Sequence, residues 1–271
     1  MPIMNETTIG LSVLTILLAA LAYGLFGTSN EHSEASSKFR VLRVAHAGGG
    51  IEGKTYTNSL EALNANLKNG FRYFEIDFVF TKDDELVCLH DWQGSFEGLF
   101  GFRAKQRPTL KEFERLLEER RPEFTNCTLH GLANWMRDNP SAYLITDVKE
   151  RNIEALTQIA QRIPDAAKRV IPQIYDPENY AQVKHIGFDQ VIWTLYRYRG
   201  RRDALLDWVE QLDGPFAVTM PASRAESTLP MALRKLNIPT YAHTVNEIEE
   251  FRRHTGNGIS EIYTDFLPPS K

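Results

Sequence analysis

The sequence predicts an α/β fold: a (β/α)8 barrel of the TIM type, preceded by one N-terminal transmembrane helix. Three observations predict it. From Arg40 onward, eight apolar runs rich in β-branched and aromatic residues alternate with stretches of helical periodicity. Histidines and carboxylates stand near the ends of strand-like runs, where parallel barrels carry their sites. Near the N-terminus, one uncharged apolar stretch has about the length that crosses a bilayer.

The N-terminal elements come first. Met1 to Thr8 is a short tail without Lys or Arg and with Glu6. Ile9 to Gly27 carries no charge and is dominated by Leu, Ala, Val and Ile. A cleaved signal would have a basic flank and a shorter apolar core, so the stretch reads as a retained anchor. Thr28 to Lys38 is small and polar, a flexible tether. Lys38, Arg40 and Arg43 follow the span, which by the positive-inside rule slightly favours a cytoplasmic barrel but leaves the side of the membrane open. Residues 39–271 form the barrel domain. The 271 residues suffice for one large domain, and a net charge of −4 gives no whole-chain reason to expect nucleic-acid binding. Oligomeric state is not legible.

In the barrel domain the expected strands are Val41–Ala45, Arg72–Phe78, Ala142–Asp147, Val170–Ile174, Gln190–Thr194, Phe216–Met220, Thr240–His243 and Glu261–Thr264. Leu86–Leu89 adds a hairpin strand after the second, turning at Lys82-Asp83-Asp84. Ser59–Asn69, Asn152–Arg162, Ala204–Gln211 and Val245–Arg253 have helical periodicity. Gly48-Gly49-Gly50 lacks the spacing of a nucleotide loop and reads as a turn that lets backbone approach a substrate or a neighbouring loop. Cys88 and Cys127 are too few for a disulfide framework, and spacing does not reveal whether they pair.

Chemistry concentrates between Val44 and Trp92. On a strand, side chains two apart share a face, so Glu75 and Asp77 point together, away from Phe74, Ile76 and Phe78. An isolated Glu-x-Asp is most simply solvent-facing. Here His46, His90 and Asp147 also end apolar runs, which favours a converging site. Paired carboxylates on a buried face repel unless a hard divalent cation joins them. Oxygen ligation favours Mg²⁺ or Ca²⁺, and two histidines can hold one base and one acid near neutrality.

The order His46-Ala47-Gly48, Asn58-Ser59, Glu75-Ile76-Asp77, Thr81-Lys82-Asp83, Leu89-His90-Asp91 resembles the glycerophosphodiester phosphodiesterase family. That family is related to phosphatidylinositol-specific phospholipases C and spider-type sphingomyelinases D. Thr109-Leu110 and Thr128-Leu129 resemble its helix starts, and Thr244-Val245-Asn246 and Thr264-Asp265 its late signature positions. The resemblance implies a phosphodiester hydrolase acting on a glycerophosphodiester, a phospholipid or a phosphoglycerol polymer. It implies a divalent metal on Glu75, Asp77 and Asp147, with His46 and His90 as general base and acid. It assigns Asn58 and Lys149 to substrate and implies a cyclic phosphate route through a neighbouring hydroxyl.

Three positions depart from the family pattern. Ala47 stands where many members have a phosphate-binding arginine, leaving Lys149 as the cation for that task. Thr57 replaces a glutamate. Asp147 replaces a glutamate, and Asp147-Val148-Lys149 is closer to the sphingomyelinase D version. The alternative these changes raise is an inactive barrel that binds phosphorylated headgroups or polymers. Two segments bear on substrate. The aromatic run Trp92 to Phe102 either meets a lipid or packs on the barrel rim. Arg197, Arg199, Arg201 and Arg202 either attract an anion or form a solvated basic loop.

Overall fold

The computed structural model describes residues 39–270. The expected tail, span and tether all lie outside these residues. Among the described residues no helix is long and apolar enough to cross a membrane.

Nine strands form one sheet: β1 (Val44–Ala45), β2 (Tyr73–Phe80), β3 (Leu86–Cys88), β4 (Tyr143–Val148), β5 (Val170–Ile174), β6 (Val191–Thr194), β7 (Phe216–Pro221), β8 (Thr240–His243) and β9 (Glu261–Thr264). All except β3 pair in parallel, and β1 pairs with both β2 and β9, which closes an eight-stranded barrel. β3 is an antiparallel arm on the far end of β2. The helices used below are α1 (Leu60–Lys68), α2 (Gly94–Phe100), α3 (Leu110–Arg120), α4 (Leu129–Asp138), α5 (Asn152–Arg162), α6 (Tyr180–Ile186), α7 (Arg202–Gln211), α8 (Leu229–Lys235) and α9 (Ile248–Gly256).

The two-residue period sorts the barrel. Phe74, Ile76 and Phe78 point outward into the main core beneath the helices. Inside, Val44, Tyr73, Ile145, Ile171, Ile192, Ala217, Tyr241 and Tyr263 fill one layer, one residue from each barrel strand. Phe39 packs against this layer, edge-on to Tyr241 at 6.4 Å. The next inward positions, two residues further along each chain segment, are His46, Glu75, Asp147, Gln173, Thr194, Thr219, His243 and Asp265. The apolar layer is therefore a floor, the polar layer lies above it, and Asp77 and Lys149, two residues further on, reach the same carboxylate cluster.

Among the boundaries that move, two have a clear physical reason. β1 is two residues rather than five, because Arg43 N donates to Ser270 Oγ and its guanidinium reaches Glu261 and the Pro268 carbonyl. α9 begins at Ile248 rather than Val245, because Val245 N donates to the Tyr263 carbonyl and Asn246 is held against Asp265. The two Thr-Leu positions do start helices. Thr109 forms a capping box with Glu112, and Thr128 Oγ1 accepts from Gly131 N.

Between β3 and α4 the chain makes an excursion that carries α2 and α3. Trp92, Phe96, Phe100 and Phe113 bury against Val87 and Leu89 as a satellite core. The aromatic run thus packs on the rim rather than facing outward. Cys88 and Cys127 are bonded to each other, with Cα atoms 5.0 Å apart, so the disulfide joins the two ends of this excursion.

Candidate active site

β1 delivers His46 in a short turn, where Gly48 to Gly50 bring the chain against the end of β9. Gly50 N donates to the Asp265 carbonyl at 2.8 Å. A Cβ on Gly50 would lie 2.7 Å from that same oxygen, which only glycine avoids. The triglycine therefore serves a neighbouring loop. His46 Nδ1 donates to Asp265 Oδ1 at 2.9 Å, leaving Nε2 4.0 Å from Glu75 Oε2 and 3.5 Å from Thr244 Oγ1. Asn246 fixes Asp265 by donating to Oδ2 at 2.8 Å and accepting from its backbone N at 2.7 Å. Burial opposes a charge on His46, but Asp265, Glu75 and Asp77 outweigh it and push its pKa up to about 9.

Parallel register sets Asp77 beside Asp147. With Glu75, they offer carboxylate oxygens that all lie within 4.8 Å of one another. Glu75 Oε2 accepts from Ala47 N at 2.8 Å. Tyr175 OH donates to Asp147 Oδ1. Burial and the neighbouring Asp77 push the Glu75 and Asp147 carboxyls above their ordinary range. Burial opposes ionisation of Asp77 too, but Lys149 holds its carboxyl below the ordinary value. Lys149 Nζ lies 2.7 Å from Asp77 Oδ1 and 3.2 Å from Asp147 Oδ2. Three clustered carboxyls thus face one ammonium, and two of them resist ionisation. That donor set fits a divalent cation, which would relieve the repulsion.

Asn58 is fully buried behind this cluster. Its Nδ2 donates to Asp77 Oδ2 and its Oδ1 accepts from Asp77 N, both at 3.0 Å. Expected to touch substrate, it instead has both amide atoms on Asp77 and orients that carboxylate. His90 lies across the site with Nδ1 2.8 Å from Asp91 Oδ2. Asp91 also accepts from Gln93 N, Ser95 N and Ser95 Oγ at the start of α2. Burial raises the Asp91 pKa, but these hydrogen bonds prevail and bring it to about 2. Tyr56 stands between the histidines, its ring 4.6 Å from that of His46 and 5.3 Å from that of His90.

Around these groups is a cavity of about 320 Å³. His46, His90, Glu75, Asp147 and Lys149 line it with Tyr56, Gln173, Tyr175, Thr194, Tyr196 and His243. Asp265, Tyr56, Tyr175 and His243 were not singled out as site residues by the sequence. Asp265 and His243 stand two residues past the floor residues Tyr263 and Tyr241, just as the expected Glu75 and Asp147 follow Tyr73 and Ile145, and this spacing is the signal that would have found them. None of the four arginines after β6 is among the residues lining this cavity. Arg197 donates to the Lys149 carbonyl, and Arg202 to Thr228 Oγ1.

The profile of the glycerophosphoryl diester phosphodiesterase family matches residues 46–198, more than half of the chain. No curated protein matches the chain closely enough to count as a relative. Solved structures share the fold. A glycerophosphodiester phosphodiesterase from Thermotoga maritima has 22% identity and a TM-score of 0.64, over 83% of this chain and 95% of its own. A phosphodiesterase from Oleispira antarctica, in complex with the product sn-glycerol-3-phosphate, has 15% identity and a TM-score of 0.66, over 86% and 96%. A glycerophosphodiester phosphodiesterase from Agrobacterium tumefaciens has 14% identity and a TM-score of 0.59, over 82% and 95%. With the matched profile spanning His46 to Tyr198, this chain belongs to the glycerophosphoryl diester phosphodiesterase family and is a phosphoric diester hydrolase.

Proposed function

We propose that the protein is a membrane-tethered, divalent-metal-dependent glycerophosphodiester phosphodiesterase that uses two histidines as acid and base. The observation that carries this reading is the convergence of three carboxylates within 4.8 Å of one another, in a cavity lined by both His46 and His90. Glu75, Asp77 and Asp147 would hold Mg²⁺ or Ca²⁺. A cation there supplies charge stabilisation for the phosphate oxygens.

The chain's own groups do the rest. Lys149, the one ammonium in the cluster, contacts phosphate charge in place of the arginine absent at Ala47. Asn58 and Asp265 are positioning residues, for Asp77 and His46 respectively. Asp265 holds the Nδ1 proton of His46, which turns Nε2 toward the cavity. Asp91 does the same for His90. One histidine takes a proton from a substrate hydroxyl adjacent to the ester, and the other protonates the leaving oxygen. A hydroxyl already on the substrate exploits proximity, worth about 7–11 kcal/mol in favourable cases. The uncharged apolar stretch Ile9 to Gly27 would hold the barrel beside a membrane.

The test is a metal-supplemented assay against a panel of phosphodiesters, followed by phosphorus NMR. A five-membered cyclic phosphate at early times supports the route, and a substrate with its neighbouring hydroxyl methylated should be inert. Normal cleavage of that analogue would make water the nucleophile. Metal-dependent binding of phosphodiesters without cleavage would favour the non-catalytic binder.

A further inference from the structure

Along β5 the inward positions run Ile171, Gln173 and then Tyr175, just past the strand end. Ile171 belongs to the floor. Gln173 is engaged elsewhere, since Tyr263 OH donates to its Oε1 at 3.1 Å. Tyr175, two residues further on, lines the cavity and donates its hydroxyl to Asp147 Oδ1. Each of the three carboxylates therefore has one oxygen held by a neutral donor. Ala47 N holds Glu75 Oε2 at 2.8 Å, Asn58 Nδ2 holds Asp77 Oδ2 at 3.0 Å, and Tyr175 holds Asp147 Oδ1. Lys149 Nζ shares the other oxygens of the two aspartates, 2.7 Å from Asp77 Oδ1 and 3.2 Å from Asp147 Oδ2.

Asp147 is the ligand that most needs such a hold. Its side chain is 17% exposed, against 4% for Glu75 and 3% for Asp77, so packing restrains it least. The phenol that holds it is itself fixed from two sides. Asn152, at the start of α5, donates from Nδ2 to the carbonyls of Val148 and Gln173, both at 3.0 Å. That ties the end of β4, which carries Asp147, to the end of β5, which carries Tyr175. Arg197, in the loop after β6, lies over the Tyr175 ring at 5.0 Å and donates from Nη1 to the Lys149 carbonyl at 2.9 Å. One guanidinium thus steadies both groups that reach Asp147.

We infer that Tyr175 is a positioning residue, whose hydroxyl occupies Asp147 Oδ1, makes Asp147 a one-oxygen ligand through Oδ2 and so biases the site toward Mg²⁺ over Ca²⁺. This rests on the metal reading above. Magnesium demands a near-ideal octahedron, which the narrow bite of a carboxylate bound through both oxygens does not fit. Calcium accepts carboxylates through one oxygen or two. Three carboxylates that each keep one oxygen on a protein donor leave the remaining positions of an octahedron to water and phosphate. Hydrogen bonds that orient a ligating carboxylate set metal affinity as the ligands themselves do.

The test is calorimetric titration of the full chain with Mg²⁺ and, separately, Ca²⁺, in wild type, Tyr175→Phe, Asp147→Glu and the double variant. Tyr175→Phe keeps the ring in the cavity wall and removes only the hydroxyl, so it should fold, which a thermal melt in chelator checks. Its affinity for Mg²⁺ should fall by about 10–100-fold. Its affinity for Ca²⁺ should fall less, because the freed Oδ1 lets Asp147 bind through both oxygens. Asp147→Glu alone drives an extra methylene against the hydroxyl and should also weaken Mg²⁺ binding. In the double variant that methylene takes the place of the lost hydroxyl, so Mg²⁺ should bind more tightly than to either single variant, the non-additivity expected of two groups in contact. Unchanged Mg²⁺ affinity in Tyr175→Phe would overturn the proposal. A fall in turnover of glycerophosphocholine at unchanged metal affinity would put the hydroxyl on the substrate and overturn it too. So would equal losses for both cations, or single-variant effects that simply add, since either makes Tyr175 a general support of the cavity. If wild type binds neither cation, the metal reading itself fails and the proposal falls with it; a wild type that binds Mg²⁺ no better than Tyr175→Phe does overturns the proposal alone.

Discussion

Lys149→Met tests the ammonium that the carboxylate cluster holds. The wild-type Nζ sits 2.7 Å from Asp77 and 3.2 Å from Asp147, whose side chains are 3% and 17% exposed. Removing one partner from a buried ion pair costs about 3–5 kcal/mol, because the other charge is left uncompensated. Lys149 is itself 24% exposed, so solvent screening lowers this to about 2–3 kcal/mol. For a domain of this size that is a fall in Tm of about 4–12 °C in chelator. Calcium or magnesium at a hundredfold excess over its Kd returns about 2.7 kcal/mol, so the variant should be rescued by metal. Its metal affinity should also rise, by about tenfold for each 1.4 kcal/mol of lost competition between ammonium and cation. Turnover should nonetheless fall by about two to three orders of magnitude, the range for losing one charge-stabilising group. The assays are thermal melts with and without chelator, calorimetry and steady-state kinetics. A melt in chelator like that of wild type, with unchanged metal affinity, would refute the placement of Lys149 in the cluster. Near-normal turnover would remove the phosphate contact from Lys149.

Glu75→Ala, Asp77→Ala and Asp147→Ala should each abolish both activity and divalent-metal binding; unchanged calorimetric affinity in all three would sink the metal assignment. Asp265→Asn should lower turnover by about 10–100-fold, as for other groups that orient a working histidine. Because Asp265 helps hold His46 at about 9, the limb His46 contributes to the pH–rate profile should also move to lower pH. An unmoved limb would leave Asp265 a purely structural role. Metal-free protein should lose stability as pH rises from about 6.5, the unfolded value for histidine, through about 9, where folded His46 deprotonates. Folding takes up a proton on His46 in that window, so stability falls with pH; Glu75, raised by burial, acts in the same direction from lower pH. His46→Ala should flatten the upper part of the slope, and a Tm that rises across the window would contradict the assignment.

Periodicity along the chain made much of the molecule legible. The alternation Phe74, Glu75, Ile76, Asp77, Phe78 determines that both carboxylates share the face opposite the aromatics, because strand side chains alternate whatever the partner strand. Apolar runs broken by helical stretches likewise predict the barrel, and strand ends predict where the chemistry lies. Thr109 and Thr128, expected as helix starts from the family resemblance, do cap helices through local hydrogen bonds. What local pattern does not carry is which faces meet. The register Asp77 to Asp147 completes the carboxylate triad. Closure of β1 on β9 brings His46 to Asp265, 219 residues away. Asn58 looked like a substrate contact because it shares a motif with the site, yet the fold turns both its amide atoms onto Asp77. The Cys88–Cys127 bond, 39 residues apart, needed the excursion to fold back on itself. Sequence spacing constrains neighbours within an element; contacts between elements are decided by barrel closure, which no window of residues contains.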